Sequence, residues 1–328
     1  MSTRNTFRPA SPENLEERVV LNGQMPTVHA LAAHVAVTVG AMGDSYTDEY
    51  QFYPTARTHA RNWVEQLSTA HKANFGAFTR SSRPEPRDQG FANDWARSDA
   101  TSTDMVANQL PGLTAQVAAG KVNYAWIFVG GNDFIHYAEA VATNPSSQTL
   151  SVPVAIAAIE AHAASNIDTA VNTLLAANPN VKIVLTTIPS IGEIPLAKSL
   201  TTTPGGQALI AGIDQAVGVL NAQIASIAAT NPRVALADLA AYSAGVAAAG
   251  ATVPFGGTTI NLVVPSNDYH SFFLADGLHL GSVGQGVIAN TFINAIDTKF
   301  GATVRPFTAT QIVHNARLIQ TQTRRLPS

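Results

Sequence analysis

The hydrophobic residues of this chain alternate between two spacings. Short runs rich in Val, Ile and Leu occur at residues 35–39, 124–129, 181–188 and 234–239. The first three runs have almost no polar interruption, as in strands that are buried on both faces. Between the runs lie segments with helical spacing, at residues 56–70, 102–119, 153–177, 204–229 and 282–296. Strands that alternate with helices, without turn sequences typical of hairpins, predict an α/β fold with a parallel sheet covered by helices on both sides.

The same pattern predicts one main domain over residues 34–300. Residues 1–33 look like an irregular arm, in which two proline-containing polar patches surround a short apolar run. Residues 301–328 are predicted to be a polar tail, either a terminal helix or a linker, that ends near the basic pair Arg324 and Arg325.

Composition excludes several classes of function. Hydrophobic residues make up 46% of the chain and charged residues 12%, which is enough apolar surface for a large core. The net charge of -3 gives no electrostatic reason to bind nucleic acid or an anionic membrane. The chain has no cysteine, so disulfides and thiol catalysis are excluded.

Neither a metal, a cofactor nor a membrane span is expected. The nine histidines show no HxH or HExxH spacing. The longest stretch without a charged side chain, between Asp238 and Asp268, is interrupted by glycines and prolines. Charged residues near the N-terminus, from Arg4 to Arg18, interrupt any apolar segment of a secretory signal.

Three polar blocks lie where a predicted strand ends or a helix begins. They read Gly43-Asp44-Ser45-Tyr46, Gly130-Gly131-Asn132-Asp133 and Asp276-Gly277-Leu278-His279. In open parallel sheets, ligands bind beyond the carboxyl ends of the strands, so these blocks are expected to meet at one edge.

The residue types in these blocks are those that acyl transfer requires. A serine hydroxyl, here Ser45, needs a base such as the imidazole of His279 to take its proton. Asp276 lies three residues before His279 and can hold that imidazole in one tautomer. The side-chain amide of Asn132 and the backbone N–H of Ser45 could stabilise the oxyanion of a tetrahedral intermediate. Asp44 and Asp133 are expected to brace their loops by accepting backbone N–H groups.

In their order, the three blocks resemble the GDSL esterase/lipase family, also called SGNH hydrolases. The resemblance spans residues 43–279. It implies a flavodoxin-like, three-layer α/β/α fold with about five parallel strands, and hydrolysis of carboxylic esters through a serine acyl-enzyme. The matching positions imply that Ser45 is the nucleophile, His279 the base, Asp276 its orienting acid and Asn132 an oxyanion donor. The resemblance also suggests a secreted or periplasmic protein.

A second block of the family departs from its usual pattern in this chain. Where family members carry two glycines, one of which donates its N–H to the oxyanion, this chain has Ser98 and Asp99 in the stretch WARSDATS. Asp tolerates positive φ better than most residues, so we expect Asp99 to be the donor. Its carboxylate must then point away from the oxyanion or pair with Arg97 or Arg87.

The substrate is left open between several classes. We expect a small-molecule or carbohydrate ester, with short-chain acyl or O-acetyl groups favoured because the sequence shows no long apolar lid. The alternatives are a lipase or phospholipase acting on longer acyl chains, and a catalytically silent binding module. Aromatic residues beside the blocks are candidates for substrate contacts: Tyr46, Trp95, Phe134 and Tyr137.

Overall fold

The computed structural model describes residues 37–53, 57–80, 89–144 and 150–323. The arm predicted for residues 1–33, Arg87, and the basic end at Arg324 and Arg325 lie outside the described residues.

Strands and helices alternate along most of the chain. The strands are β1 Val39–Gly43, β2 Phe78–Thr79, β3 Gly90–Phe91, β4 Tyr124–Phe128, β5 Lys182–Thr186, β6 Val234–Ala237, β7 Thr252–Phe255 and β8 Thr258–Asn261. The helices are α1 Trp63–Thr69, α2 Ser102–Asp104, α3 Leu110–Ala118, α4 Gly131–Thr143, α5 Val152–Ala177, α6 Pro195–Lys198, α7 Pro204–Thr230, α8 Leu239–Ala248, α9 Ser282–Phe300 and α10 Ala309–Thr323. A π-helical turn, Met105–Gln109, joins α2 to α3.

The central sheet is parallel and has the strand order β1-β4-β5-β6. The predicted α/β class is therefore confirmed, with four strands where about five were expected. The free edge of β1 is occupied by a segment that does not become a strand. There the N–H of Ala41 donates to Asn93 O (2.9 Å), and the N–H of Trp95 donates to Ala41 O (2.8 Å).

Side chains that alternate along each strand supply two separate cores, and this makes the three α/β/α layers. On β4, Ala125 and Ile127 pack into the core covered by α3, α5 and α7. Tyr124, Trp126 and Phe128 of the same strand pack into the opposite core, under α1, α9 and α10. Successive side chains of a strand point to opposite faces, so an uninterrupted apolar run is what a doubly covered sheet requires.

Most predicted helices agree closely with the observed ones, but two interpretations need correction. The helix predicted over residues 56–70 begins only at Trp63, because the Asn62 side chain caps it there and forms a capping box with Glu65. The expectation of no hairpin is wrong, since β7 and β8 pair in antiparallel fashion around Gly256 and Gly257. Of the two alternatives predicted for residues 301–328, the terminal helix is observed as α10, which packs against α9 with its apolar face.

Helix α7 alone, among the described residues, is long and apolar enough to cross a membrane by length and composition. In the fold its residues Ile213, Leu220 and Ile224 are buried in the core shared with α5.

Candidate active site

Ser45 lies in a tight turn directly after β1. Gly43 ends the strand where a Cβ atom would lie 2.3 Å from the backbone oxygen of Phe128, so only glycine fits there. The side-chain carboxylate of Asp44 accepts a hydrogen bond from the N–H of Tyr46 (3.0 Å). The backbone carbonyl of Asp44 accepts one from the N–H of Thr47 (3.0 Å). Asp44 thus braces the turn as predicted, and burial raises the pKa of its carboxyl to about 7.

Two residues that the sequence analysis missed hold this turn in place. The buried side chain of Gln109 donates to Gly43 O and accepts from Gly43 N–H, both at 2.8 Å. Arg57 donates to Ser45 O (3.3 Å) and to Ser98 Oγ (2.8 Å). Gln109 ends the π-helical turn, a feature frequent at functional sites. No local pattern in the sequence marks Arg57.

The Asp276–His279 loop presents a paired imidazole. Asp276 accepts the backbone N–H groups of Leu278 and His279, both at 2.9 Å, and its other oxygen lies 2.7 Å from His279 Nδ1. Burial raises the pKa of Asp276, but the hydrogen bonds from His279 outweigh it, and the net pKa lies below the usual value.

The pairing determines the tautomer of His279. An ionised Asp276 can only accept hydrogen bonds, so Nδ1 of His279 carries the proton and Nε2 of the neutral ring is a free acceptor. Nε2 is buried and has no hydrogen-bond partner among the described residues. A buried acceptor without a partner is costly unless a ligand or substrate proton uses it.

The serine turn and the histidine loop meet at the carboxyl edge of the sheet. The Tyr46 hydroxyl donates to Leu278 O (2.8 Å). The ring centroids of Tyr46 and Tyr50 lie 6.2 Å and 6.0 Å from that of His279. Tyr46, which follows Ser45, and Leu278, which precedes His279, are therefore in direct contact, although they are 232 residues apart in the chain.

Asn132 enters the same cleft from the first turn of α4. Gly130 precedes the helix with φ +119°, and a Cβ there would lie 2.7 Å from Ile188 Cδ1. One N–H of the Asn132 amide donates to Ala100 O (3.0 Å), which leaves its second N–H for another acceptor. Asp133 accepts the Ser102 N–H (2.9 Å) and hydroxyl (2.6 Å), so it braces the loop as predicted.

The segment along the β1 edge brings Ser98 and Asp99 to the serine turn. The last contact of this segment with the strand is the Arg97 N–H, which donates to Gly43 O (3.1 Å). The N–H of Ser98 is used, because it donates to the Asp48 carboxylate (2.7 Å). Asp99 has φ +71°, the conformation that a glycine would adopt easily.

The Asp99 side chain points to solvent and away from the serine turn. It is 82% exposed, and its carboxylate lies 2.8 Å from His136 Nε2. The N–H groups of Asp99 and Ser45 donate to no other residue in the described part of the chain. Both therefore remain available to a ligand.

Of the four aromatic candidates, Tyr46 alone lines the cleft beside Ser45. The wall of this cleft also includes Asp44, Ser45, Asn132, Ile188 and Leu278. Phe134 is fully buried in the core, and Tyr137 packs against that core. The Trp95 indole donates to Gln116 (2.9 Å) and covers Gly112. These three aromatic residues lie near the motifs in sequence, but their side chains pack in or against the core under α3, α5 and α7.

Among the residues that the structure describes, no three His, Asp or Glu side chains are arranged to hold a metal ion. The groups described above are a hydroxyl, a paired imidazole, and backbone and amide N–H donors.

The fold and this arrangement define an α/β/α protein of the serine-hydrolase type, and comparison with known proteins gives its family. The family model for GDSL-like Lipase/Acylhydrolase matches residues 39–292. The chain therefore belongs to the GDSL-like lipase/acylhydrolase family, as its motifs indicated. No curated protein sequence matches the chain.

The solved structures that match this chain include lipases and esterases. A lipase, Lip_vut3, from a goat rumen metagenome is 14% identical, with a TM-score of 0.48 over 79% of this chain and 97% of that one. Phospholipase A1 from Streptomyces albidoflavus NA297 is 16% identical, with a TM-score of 0.47 over 80% and 99%. A family 3 carbohydrate esterase from Clostridium thermocellum is 15% identical, with a TM-score of 0.41 over 82% and 100%.

Proposed function

We propose that this protein is a serine carboxylic ester hydrolase that forms an acyl-enzyme on Ser45. The observation that carries the proposal is the Asp276–His279 pair (2.7 Å), whose free Nε2 is buried next to the turn that holds Ser45. Membership of an acylhydrolase family supports the same reaction class.

In the proposed reaction, Ser45 Oγ attacks the ester carbonyl while His279 Nε2 takes the hydroxyl proton. The tetrahedral intermediate collapses, and the alcohol leaves with the proton from His279. Water then attacks the acyl-enzyme with His279 as base, which releases the acid and restores Ser45. Asp276 stabilises the imidazolium that forms in both halves of the reaction.

Three donors are proposed to bind the oxyanion: the N–H groups of Ser45 and Asp99 and the second amide N–H of Asn132. Asp99 is preferred over Ser98 because the Ser98 N–H already donates to Asp48 (2.7 Å). The positive φ of Asp99 supports this role, because it is the conformation of the glycine that the family resemblance implies at this position. One such donor typically lowers the barrier by about 2.7–4 kcal/mol.

For the substrate, we propose short-chain acyl or O-acetyl esters of a small molecule or carbohydrate. The supporting feature is the small size and the lining of the cleft beside Ser45, which is bounded on one side by Tyr46. A lipase or phospholipase acting on long chains, and a silent binding module, make different predictions in the same assays.

A panel of p-nitrophenyl esters from acetate to decanoate tests this proposal. We expect hydrolysis of acetate and butyrate, and loss of activity by several orders of magnitude in Ser45→Ala and His279→Ala. Faster turnover of decanoate would favour the long-chain lipase. Hydrolysis that persists in Ser45→Ala would show that the nucleophile lies elsewhere.

A further inference from the structure

A second, larger cavity lies behind Tyr46 and belongs to no step of the proposed reaction. It is larger than the cleft beside Ser45. Its wall is formed mainly by apolar side chains from α8, α9 and the segment after β8; they include Leu239, Val246, Leu262, Phe272, Phe273 and Val287. A concave surface lined by apolar side chains is typical of sites for apolar ligands.

Three residues line both spaces, so the cavity and the cleft are neighbours. They are Tyr46, Pro189 and Ile194. Tyr46 is the largest of them and follows Ser45 directly in the chain. Its ring therefore stands between the position of the nucleophile and the larger cavity.

Tyr46 is held in this place by contacts on three sides. Its hydroxyl donates to Leu278 O (2.8 Å), and its ring lies 5.8 Å from that of Phe128 and 6.2 Å from that of His279. Leu278 lines the cleft, whereas Leu280 lines the cavity. The wall between the two spaces is thus built from the loops that carry Ser45 and His279.

The lining indicates the chemistry of the ligand. The charged residues of the cavity, Glu193 and Lys198, pair with each other at 3.1 Å and are about half exposed. They leave no uncompensated charge inside, so an uncharged hydrocarbon chain fits the cavity better than an ionic group.

We propose that the Tyr46 ring limits the length of the acyl chain and that the cavity behind it accepts the distal part of a longer chain once the ring is removed. The proposal rests on the proposed function, and it makes Tyr46 the residue that restricts the protein to short acyl groups. A chain that enters the cavity buries its methylene groups, and each adds about a fourfold preference.

The test compares the chain-length profile of the wild type with that of Tyr46→Ala. We expect the ratio of kcat/KM for p-nitrophenyl decanoate to that for butyrate to rise on the order of tenfold or more in Tyr46→Ala. Tyr46→Phe is the matched control, because it keeps the ring and loses only the hydroxyl bond to Leu278; its profile should stay as in the wild type. An unchanged profile in Tyr46→Ala, or an equal shift in Tyr46→Phe, would overturn the proposal.

A second variant locates the chain. Val246 is half-buried and lines the cavity on the side of α8, so Val246→Phe adds bulk in empty space. In the Tyr46→Ala background it should reverse the gain for decanoate, and a gain that persists would place the chain elsewhere and contradict the proposal.

Adding Ser45→Ala to Tyr46→Ala separates the two ideas. Residual hydrolysis in that double variant would refute the proposal that Ser45 is the nucleophile. If the double variant has no hydrolytic activity but Tyr46→Ala alone has the chain-length profile of the wild type, only the proposed role of Tyr46 is refuted.

Discussion

At the scale of single residues, the proposed reaction depends on how Asp276 orients His279. Replacing Asp276 with Asn should lower kcat for p-nitrophenyl acetate by about 10²–10⁴-fold, because an amide permits the wrong imidazole tautomer. The thermal unfolding midpoint should change little, since the pair is partly exposed, at 13% for His279 and 28% for Asp276.

The chain offers a matched control for this substitution. Asp268 and His270 form a similar pair at 2.6 Å, away from Ser45. Asp268→Asn should leave kcat near the wild-type value. Equal losses in the two variants would contradict a special role for Asp276.

Asp99 poses a second question at this scale, because it carries a carboxylate beside an N–H group that is proposed to bind the oxyanion. Its contact with His136 (2.8 Å) holds the charge away from the proposed oxyanion site. We therefore expect His136→Ala to lower kcat roughly fivefold, as a unit charge a few ångström away changes energies by about 1 kcal/mol in water.

Removal of the charge should restore what His136→Ala loses. Asp99→Asn keeps a residue that tolerates positive φ and keeps the N–H, so the double variant His136→Ala/Asp99→Asn should approach the wild-type kcat. A double variant as slow as His136→Ala alone would mean that the carboxylate is not the cause.

At the scale of elements, the approach of α4 to the sheet depends on Gly130. Gly130→Ala should destabilise the protein by about 1–2 kcal/mol or more, because φ is +119° and the new Cβ would meet Ile188 at 2.7 Å. Gly131 is the internal control: it begins α4 and has no neighbour within 4 Å of a Cβ. Gly131→Ala should be neutral or stabilising by up to about 1 kcal/mol. Equal effects in urea unfolding would contradict this account.

The elements also show what a single sequence can and cannot reveal. The apolar runs predicted β4 and β5 closely, because a strand buried on both faces needs apolar side chains throughout. The hairpin β7–β8 was missed, although Gly256-Gly257 is a turn sequence, because the surrounding residues show no clear alternation. The motif residues could be found, but Asp48, Arg57 and Gln109 could not. Their roles depend on contacts between segments that are far apart in the chain.

At the scale of the whole molecule, buried carboxyl groups make stability depend on pH. Burial raises the pKa of Glu65 to about 7 and that of Glu49 to about 8, as it does for Asp44. A carboxyl group whose pKa is higher in the folded state than in the unfolded state stabilises the fold by its protonation. This contribution to the free energy of unfolding is complete below the unfolded pKa of about 4, and it is lost as the pH rises through the folded pKa. Asp276 acts in the opposite sense, but only below about pH 4.

The thermal midpoint should therefore fall as the pH rises from about 5 to about 8. Glu65→Gln should flatten this dependence, because glutamine can still accept the Asn62 N–H (2.8 Å in the wild type) and does not ionise. A midpoint that rises over this range, or a slope unaffected by Glu65→Gln, would contradict the proposed cause.

The central claim concerns two residues that are far apart in the chain. The hydroxyl of Ser45, in the turn after β1, attacks the ester, and the imidazole of His279, in the loop before α9, takes its proton. Covalent labelling with a fluorophosphonate, followed by mass mapping of the modified peptide, tests it most directly. The account predicts a single adduct on Ser45 that is absent in Ser45→Ala and forms far more slowly in His279→Ala. No adduct in the folded wild type, or an adduct on another residue, would contradict it.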